Sequence, residues 1–305
     1  MKKRIGVIDI GTNTFHLLIV DWDSKTRLFS TLLRKRVFVK LGESKLDLIS
    51  DAAYQRGVEA LTEFKEILIE NDCSIYQALG TAAIRNATNA DQFINEVKAK
   101  LNIDIQKISG DREANLIYKG IQMSYPFDEK PCLIMDIGGG SVEFIIANKV
   151  EVYYAESFLV GAAVMRNLFH TSEPILPDQV NALHAFLEVK LSKLKEQLQK
   201  YQPLTLIGAS GTFDVLRDAF ASISISPTCI KLDTSKLPDF IRDSTRKSLS
   251  QRMDCPKIPD SRADLIVVAL LLIEHILKMH KFDQIVVTEY AMKEGILKEM
   301  IVSVP

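Results

Sequence analysis

Two stretches of the chain match without a gap: DIGTNTFHLLIV from Asp9 to Val20 and DIGGGSVEFIIA from Asp136 to Ala147. Each reads as the end of an apolar strand, an Asp-Ile-Gly, a turn rich in glycine or hydroxyl residues, and a second apolar strand. A repeated unit of this kind, displaced by 127 positions from Asp9 to Asp136, implies two similar domains. Each presents a strand-turn-strand loop, and two such loops can face each other across a cleft. The 305 residues suffice for two domains of ordinary size. Proline and charge interrupt the pattern at MSYPFDEKP, which places the boundary between residues 1–127 and 128–305, with the last helix free to pack back on the first domain.

The remaining pattern alternates strands with helices and predicts an α/β protein. Strand-like runs rich in Ile and Val fall at 4–10, 15–21, 133–137, 142–147, 204–208 and 285–288. Ser50 and Asp51 are placed to cap a helix with Val58, Leu61, Phe64 and Leu68 on one face, followed by Gly80 in a turn. Pro177 opens another, in which Val180, Leu183, Leu187, Leu191, Leu194 and Leu198 recur at helical spacing as a core stripe. LIVVALLLI, from Leu265 to Ile273, is far shorter than the ~20 residues of a membrane span and reads as a buried helix.

Composition narrows the function. Hydrophobic residues at 47% and charged residues at 25% describe an ordinary globular chain. A net charge of −1 gives no general attraction for nucleic acid or an acidic membrane, so an anionic ligand must be held by local charge or by backbone donors. Cys73, Cys132, Cys229 and Cys255 stand far apart and read as reduced thiols. The start, MKKRIGVIDIG, lacks a leader pattern, which gives the expectation of a cytoplasmic protein. His16 reads as a packed strand residue, and His170, His184, His275 and His280 show no paired acid or metal spacing.

Three consecutive glycines weaken any strand or helix, so something must compensate at Gly138, Gly139 and Gly140. A turn whose N–H groups point inward binds anions, and glycine lets a phosphate approach the backbone. Each loop places an acid at its edge, Asp9 or Asp136, and hydroxyls in or beside its turn, Thr12 and Thr14 or Ser141. Carboxylate, hydroxyls and N–H groups together suit a phosphate with bound Mg²⁺. A third turn, GASGT from Gly208 to Thr212, follows an apolar strand and precedes a helix, a favoured anion site.

This combination resembles the actin-like superfamily, whose duplicated ribonuclease H-like domains clasp phosphates in an interdomain cleft. Within it, SGDREANLIYKG (109–120) followed by DIGGGSVE resembles the exopolyphosphatase and guanosine pentaphosphate phosphohydrolase family. KLGE at Lys40, GTAAIRNATN at Gly80, GASGT at Gly208, SRADLI at Ser261 and TEYAMKEGIL at Thr288 extend the resemblance over nearly the whole chain.

The resemblance implies a magnesium-dependent hydrolase of the terminal phosphate of inorganic polyphosphate. Guanosine pentaphosphate is the alternative substrate, and a low-turnover polyphosphate- or nucleotide-binding regulator is the reading from another class. Glu113 falls on the family's catalytic carboxylate, which orients or deprotonates water. Asp136 and Glu143 match further catalytic carboxylates and are the magnesium candidates, with Asp9 acting through water. Arg85 matches a phosphate-clamping arginine. Thr12, Asn13, Gly138 to Ser141, Gly208, Ser210, Gly211 and Thr212 are the phosphate-binding candidates. The plain alternatives are a turn cap for Asp136, a solvent-facing Glu143, a dipole-complementing helix glutamate for Glu113 and a surface ion pair for Arg85. The family also implies a homodimer.

Two departures stand out. Arg112 occupies a position where the family often has an acid, and a cation there is expected either to lower the pKa of the neighbouring base or to supply an extra phosphate contact. Larger members continue into a helical domain, whereas this chain stops at Pro305, which bears on processivity with long chains and not on the chemistry. Lys231, Lys236, Arg242, Arg246, Lys247, Arg252, Lys257 and Arg262 are interspersed with acids and read mostly as a solvated face.

Overall fold

A computed structural model describes residues 2–26, 28–43 and 46–303. The chain divides into two compact units, one made of residues up to Gly120 with the stretch from Met292, the other of Ile121–Ala291.

The first unit runs β1 (Lys2–Ile10), β2 (Thr14–Asp23), β3 (Leu28–Phe38), α1 (Asp51–Glu70), β4 (Ile75–Gly80), α2 (Ala82–Asn86), α3 (Ala90–Leu101), β5 (Ile105–Lys107) and α4 (Gly110–Ile121). Its sheet has the order β3-β2-β1-β4-β5, with β1 antiparallel to β2 and parallel to β4. Ile8, Ile10, Phe15 and Leu17 of the sheet pack against Leu61, Phe64 and Leu68 of α1 and Phe93 and Val97 of α3. Ser50 caps α1 as its composition predicts, its hydroxyl accepting from the Ala53 N–H.

The second unit runs β6 (Cys132–Ile137), β7 (Val142–Ala147), β8 (Val152–Phe158), α5 (Ala162–Phe169), α6 (Pro177–Lys190), α7 (Ser192–Tyr201), β9 (Thr205–Ala209), α8 (Gly211–Phe220), β10 (Ala221–Ser226), β11 (Cys229–Leu232), α9 (Leu237–Arg246), α10 (Leu249–Met253), α11 (Ile266–Met279) and β12 (Gln284–Thr288). The sheet order is β10-β11-β12-β9-β6-β7-β8. Read from β8 inward, β8-β7-β6-β9-β12 repeats the β3-β2-β1-β4-β5 pattern, and the β10–β11 hairpin is an addition at one edge. β6 and β7 are buried along their whole length, so they read as continuous apolar runs without alternation. α11 buries Ile266 through Ile273 in the core of this unit.

The last helix, α12 (Met292–Ser303), packs on β1 in the first unit. A side chain on Gly295 would run into the Leu116 carbonyl of α4, so only glycine lets these helices approach so closely.

Three expectations change. The division falls at 120/121, ahead of MSYPFDEKP, because the Ser124 hydroxyl is tied to Thr288 Oγ1 (2.8 Å) and to the Thr228 carbonyl (3.2 Å) of the second unit. The leucine stripe after Pro177 belongs to two helices that break at Leu191 (φ −100°, ψ 13°), although Leu183 through Leu198 still face one core. The histidines without local pairing meet across elements. His184 of α6 stacks on His275 of α11, with Nδ1 atoms 3.3 Å apart, and Glu274 and Glu188 stand beside them. Within the basic stretch, Arg252 is wholly buried and binds the Ala263 and Lys247 carbonyls and the Glu173 carboxylate. Among the described residues no helix is long and apolar enough to cross a membrane.

His170 follows α5 and is wholly buried, its Nε2 3.4 Å from Glu173. Burial pushes its imidazole down to about 4, opposed by Glu173 and aided by the Arg166 and Arg252 charges. The native state therefore holds His170 neutral where the unfolded chain takes up a proton, at about pH 6.5. Stability falls as pH drops through this window, by up to about 1.4 kcal/mol per unit. Urea unfolding at pH 7 and pH 5 is expected to show a smaller loss for His170→Gln than for the wild type; an equal loss refutes this assignment.

Candidate functional site

The two hairpins of the repeat close in the same way. In the first unit the Gly11 N–H donates to the Thr14 carbonyl (3.1 Å), and in the second the Gly138 N–H donates to the Ser141 carbonyl (3.0 Å). A Cβ on Gly11 would lie 2.8 Å from that acceptor, and one on Gly138 2.9 Å from its own, so both positions require glycine. Asp9 pairs with His16 across β1 and β2, and Asp136 with Glu143 across β6 and β7.

The glycine triplet is held from behind by α5. The Ala162 and Ala163 N–H groups donate to the Gly138 and Gly139 carbonyls (2.9 Å each), and the Gly161 N–H donates to the Gly140 carbonyl (3.2 Å). The orphan donors of a helix N-terminus are thereby satisfied by three successive peptide units. In a trans peptide the N–H lies opposite the C=O, so the N–H groups of Gly139, Gly140 and Ser141 point away from α5, together. Donors gathered in this way have the chemistry of an anion-binding nest. The Gly138 N–H is spent on the turn. Gly161, which sequence reasoning missed, has no room for a side chain against Gly139 and Gly140.

The carboxylates beside this nest are buried. Asp136 is 7% exposed and accepts from the Ser210 hydroxyl; Glu143 is 2% exposed and accepts from the Ser141 and Ser157 hydroxyls (2.7 Å each). Glu143 therefore does not point to solvent, and Ser157 is a second residue with no signal in the sequence. Directly opposed residues of an antiparallel pair share one sheet face, where two like charges destabilise each other. The pair suits a small divalent cation with oxygen ligands. Among the described residues no three His, Cys, Asp or Glu side chains form a metal-holding group, so substrate and water oxygens would complete such a shell.

The third turn joins β9 to α8. Ser210 adopts φ 71°, a strained conformation for a residue other than glycine, and this places its hydroxyl on Asp136. Gly208 leaves room for the Phe213 ring, and Gly211 for the guanidinium of Arg262, a residue of the SRADLI stretch. Thr212 is buried in the first turn of α8.

In the first unit, the Thr12 and Asn13 carbonyls accept from the Gly42 (3.1 Å) and Lys40 (2.9 Å) N–H groups, so KLGE supports this loop as α5 supports the other. The Asn13 side chain donates to the Thr14 hydroxyl (3.4 Å). The Thr12 hydroxyl accepts from the Ala83 N–H (3.2 Å) in the first turn of α2, the helix that carries Arg85. Arg85 Nη1 reaches both Glu113 Oε2 (3.0 Å) and the Ile108 carbonyl (3.1 Å). Its partner Glu113 is 7% exposed, so this is a largely buried pair and not a surface one. Glu113 sits in the first turn of α4, behind the Ser109 hydroxyl that caps the Arg112 N–H (3.2 Å). Arg112 turns to Glu299 of α12.

Gly161→Ala forces a methyl group between α5 and the triplet. It is expected to destabilise the protein by about 1–3 kcal/mol. A thermal or urea transition matching that of wild type refutes the close approach.

The family model described as the Ppx/GppA phosphatase family matches residues 18–304. The chain is 30% identical over 213 residues to guanosine-5'-triphosphate,3'-diphosphate pyrophosphatase of Aeromonas hydrophila, covering 70% of this chain and 43% of that protein. It is 26% identical over 301 residues to exopolyphosphatase 1 of Mycobacterium bovis, covering 96% and 87%. The chain spans 43% to 60% of the length of the pyrophosphatases it matches. A crystal structure of an exopolyphosphatase from Cytophaga hutchinsonii superposes with a TM-score of 0.93 at 36% identity, covering 99% of each chain. An Aquifex aeolicus family member shares the fold, with a TM-score of 0.80 at 21% identity. The repeated hairpins, the doubled sheet order and the match along nearly the whole chain lead to one conclusion: the chain belongs to the Ppx/GppA phosphatase family, with two actin-like domains.

Proposed function

We propose that the chain is a magnesium-dependent exopolyphosphatase that hydrolyses the terminal phosphate of inorganic polyphosphate. The observation that carries this reading is the outward nest of Gly139, Gly140 and Ser141 N–H groups beside the buried Asp136–Glu143 pair. Such donors suit the oxygens of a phosphate chain, which offers the same chemistry at every unit. Gly208, Ser210, Gly211 and Thr212 of the second unit, and Thr12 and Asn13 of the first, are assigned to further phosphate contacts.

Phosphoryl transfer needs an in-line nucleophile and charge cancellation more than covalent chemistry. Glu113 is assigned to orienting and deprotonating water. Arg85 holds that carboxylate in place, and its guanidinium fork is suited to a phosphate oxygen. Asp136 and Glu143 would hold Mg²⁺, with Asp9 assigned to it through water; the ion would neutralise charge on the phosphate oxygens. A cytoplasmic homodimer belongs to the same reading, supported by free cysteines and by the family resemblance.

The second reading, cleavage of the terminal 5'-phosphate of guanosine pentaphosphate, is favoured by the similarity to the Aeromonas guanosine-5'-triphosphate,3'-diphosphate pyrophosphatase. The low-turnover regulator remains the reading from another class; Arg112, the residue that motivates it, is paired with Glu299.

Phosphate release from polyphosphate and from guanosine pentaphosphate, with Mg²⁺ present or chelated, tests the proposal. Metal-dependent release, faster from polyphosphate, is expected; preference for the nucleotide selects the second reading, and no release from either refutes both. Glu113→Gln is expected to lower kcat at least 100-fold while substrate affinity changes by no more than about threefold. Unchanged hydrolysis removes Glu113 from the role of base.

A further inference from the structure

We infer that Glu299 of α12 is a positioning residue for Glu113, because it draws the neighbouring Arg112 cation onto α12 and fastens the helix that carries Glu113. This rests on the function proposed above. Arg112 presents both ends of its guanidinium to Glu299, with Nη1 2.7 Å from Oε1 and Nη2 against Oε2. Lys119 reaches the same carboxylate, its Nζ 2.7 Å from Oε1. These two cations are seven positions apart on α4 and so lie on one face of it, two turns from each other. Between them, Gly295 presses α12 against the Leu116 carbonyl. One carboxylate and one glycine thus bind α12 along the length of α4.

Neighbouring residues on a helix do not face each other, so Arg112 and Glu113 leave α4 in different directions. Glu113 turns to Arg85, Arg112 to Glu299. A cation in the first turn of a helix opposes the helix dipole and draws down the pKa of a nearby carboxylate. Glu299 offsets both effects. The hydrogen bond from Arg112, followed by that from Lys119, holds its carboxyl at about 2, so it stays charged at any working pH. Asp111 shares the first turn of α4, and Lys298 precedes Glu299 on α12, its ammonium lowered by burial and by Lys119. α4 ends where the chain first passes between units, at 120/121, and α12 begins where it returns, at 291/292. The two connections are therefore helices fastened to one another, and the fastening holds Glu113 with the first unit.

The test compares wild type, Glu299→Gln and the double variant Arg112→Gln/Glu299→Gln. Polyphosphate hydrolysis is followed from pH 5 to 9, and amide exchange in α4 against α1. Glu299→Gln is expected to lower kcat by about three- to tenfold with KM within about twofold, and to move the acid limb of kcat/KM to lower pH. Removing the stray cation in the double variant returns the limb to its wild-type position. Exchange at Ala114 to Ile117 rises in Glu299→Gln while α1 is unchanged. An unmoved limb overturns the inference, as does a displaced limb that the double variant fails to restore. Should the wild type release no phosphate, the functional proposal falls by itself and exchange decides: faster exchange in α4 supports the fastening, unchanged exchange overturns it.

Discussion

Three hydrogen bonds from the start of α5 to the Gly138, Gly139 and Gly140 carbonyls determine what the second unit can offer a ligand. A helix N-terminus ordinarily attracts an anion to itself. Here its donors are used internally, and the peptide planes pass the polarity on to the far side of the loop. The triplet thus passes the polarity of a helix end to the far side of the loop, which accounts for a stretch that neither a strand nor a helix would tolerate. None of the described glycines adopts a positive φ; Gly138 is glycine because a Cβ there would lie 2.9 Å from the Ser141 carbonyl oxygen.

The buried acids are handled differently in the two units. In the second, serine hydroxyls from three separate segments donate to Asp136 and Glu143. In the first, Glu113 is met by a guanidinium. Hydroxyls satisfy lone pairs without cancelling charge, whereas a guanidinium cancels charge and fixes geometry.

The sequence made the architecture legible wherever the signal was local. The ungapped repeat revealed the doubled hairpin, and the apolar runs marked β1, β2, β6, β7, β9 and β12, because strands buried on both faces show their hydrophobicity without alternation. β3, β4, β5, β8, β10 and β11 were not legible: most lie at or near sheet edges and carry exposed polar residues, as in LFSTLLRKRVF. Site candidates were legible by type and motif. Their partners were not, since Arg85 and Glu113 stand 28 positions apart, Ser210 and Asp136 74, and His184 and His275 91. Of the loops' supports, Gly42 lay within the KLGE motif but without a role, and Gly161 announces itself only once the chain is folded.

The four cysteines are free, and three of them are buried. Burial pushes the Cys73 and Cys132 thiols up to about 11 and the Cys229 thiol to about 12, so the native protein presents almost no thiolate at these positions. Reagent and oxidant reach them only when the surrounding structure opens. Cys73 lies in the first unit, Cys132 and Cys229 in the second. The molecule thus carries one silent reporter set per unit, and the order in which these thiols become reactive would reveal which half opens first under heat or acid.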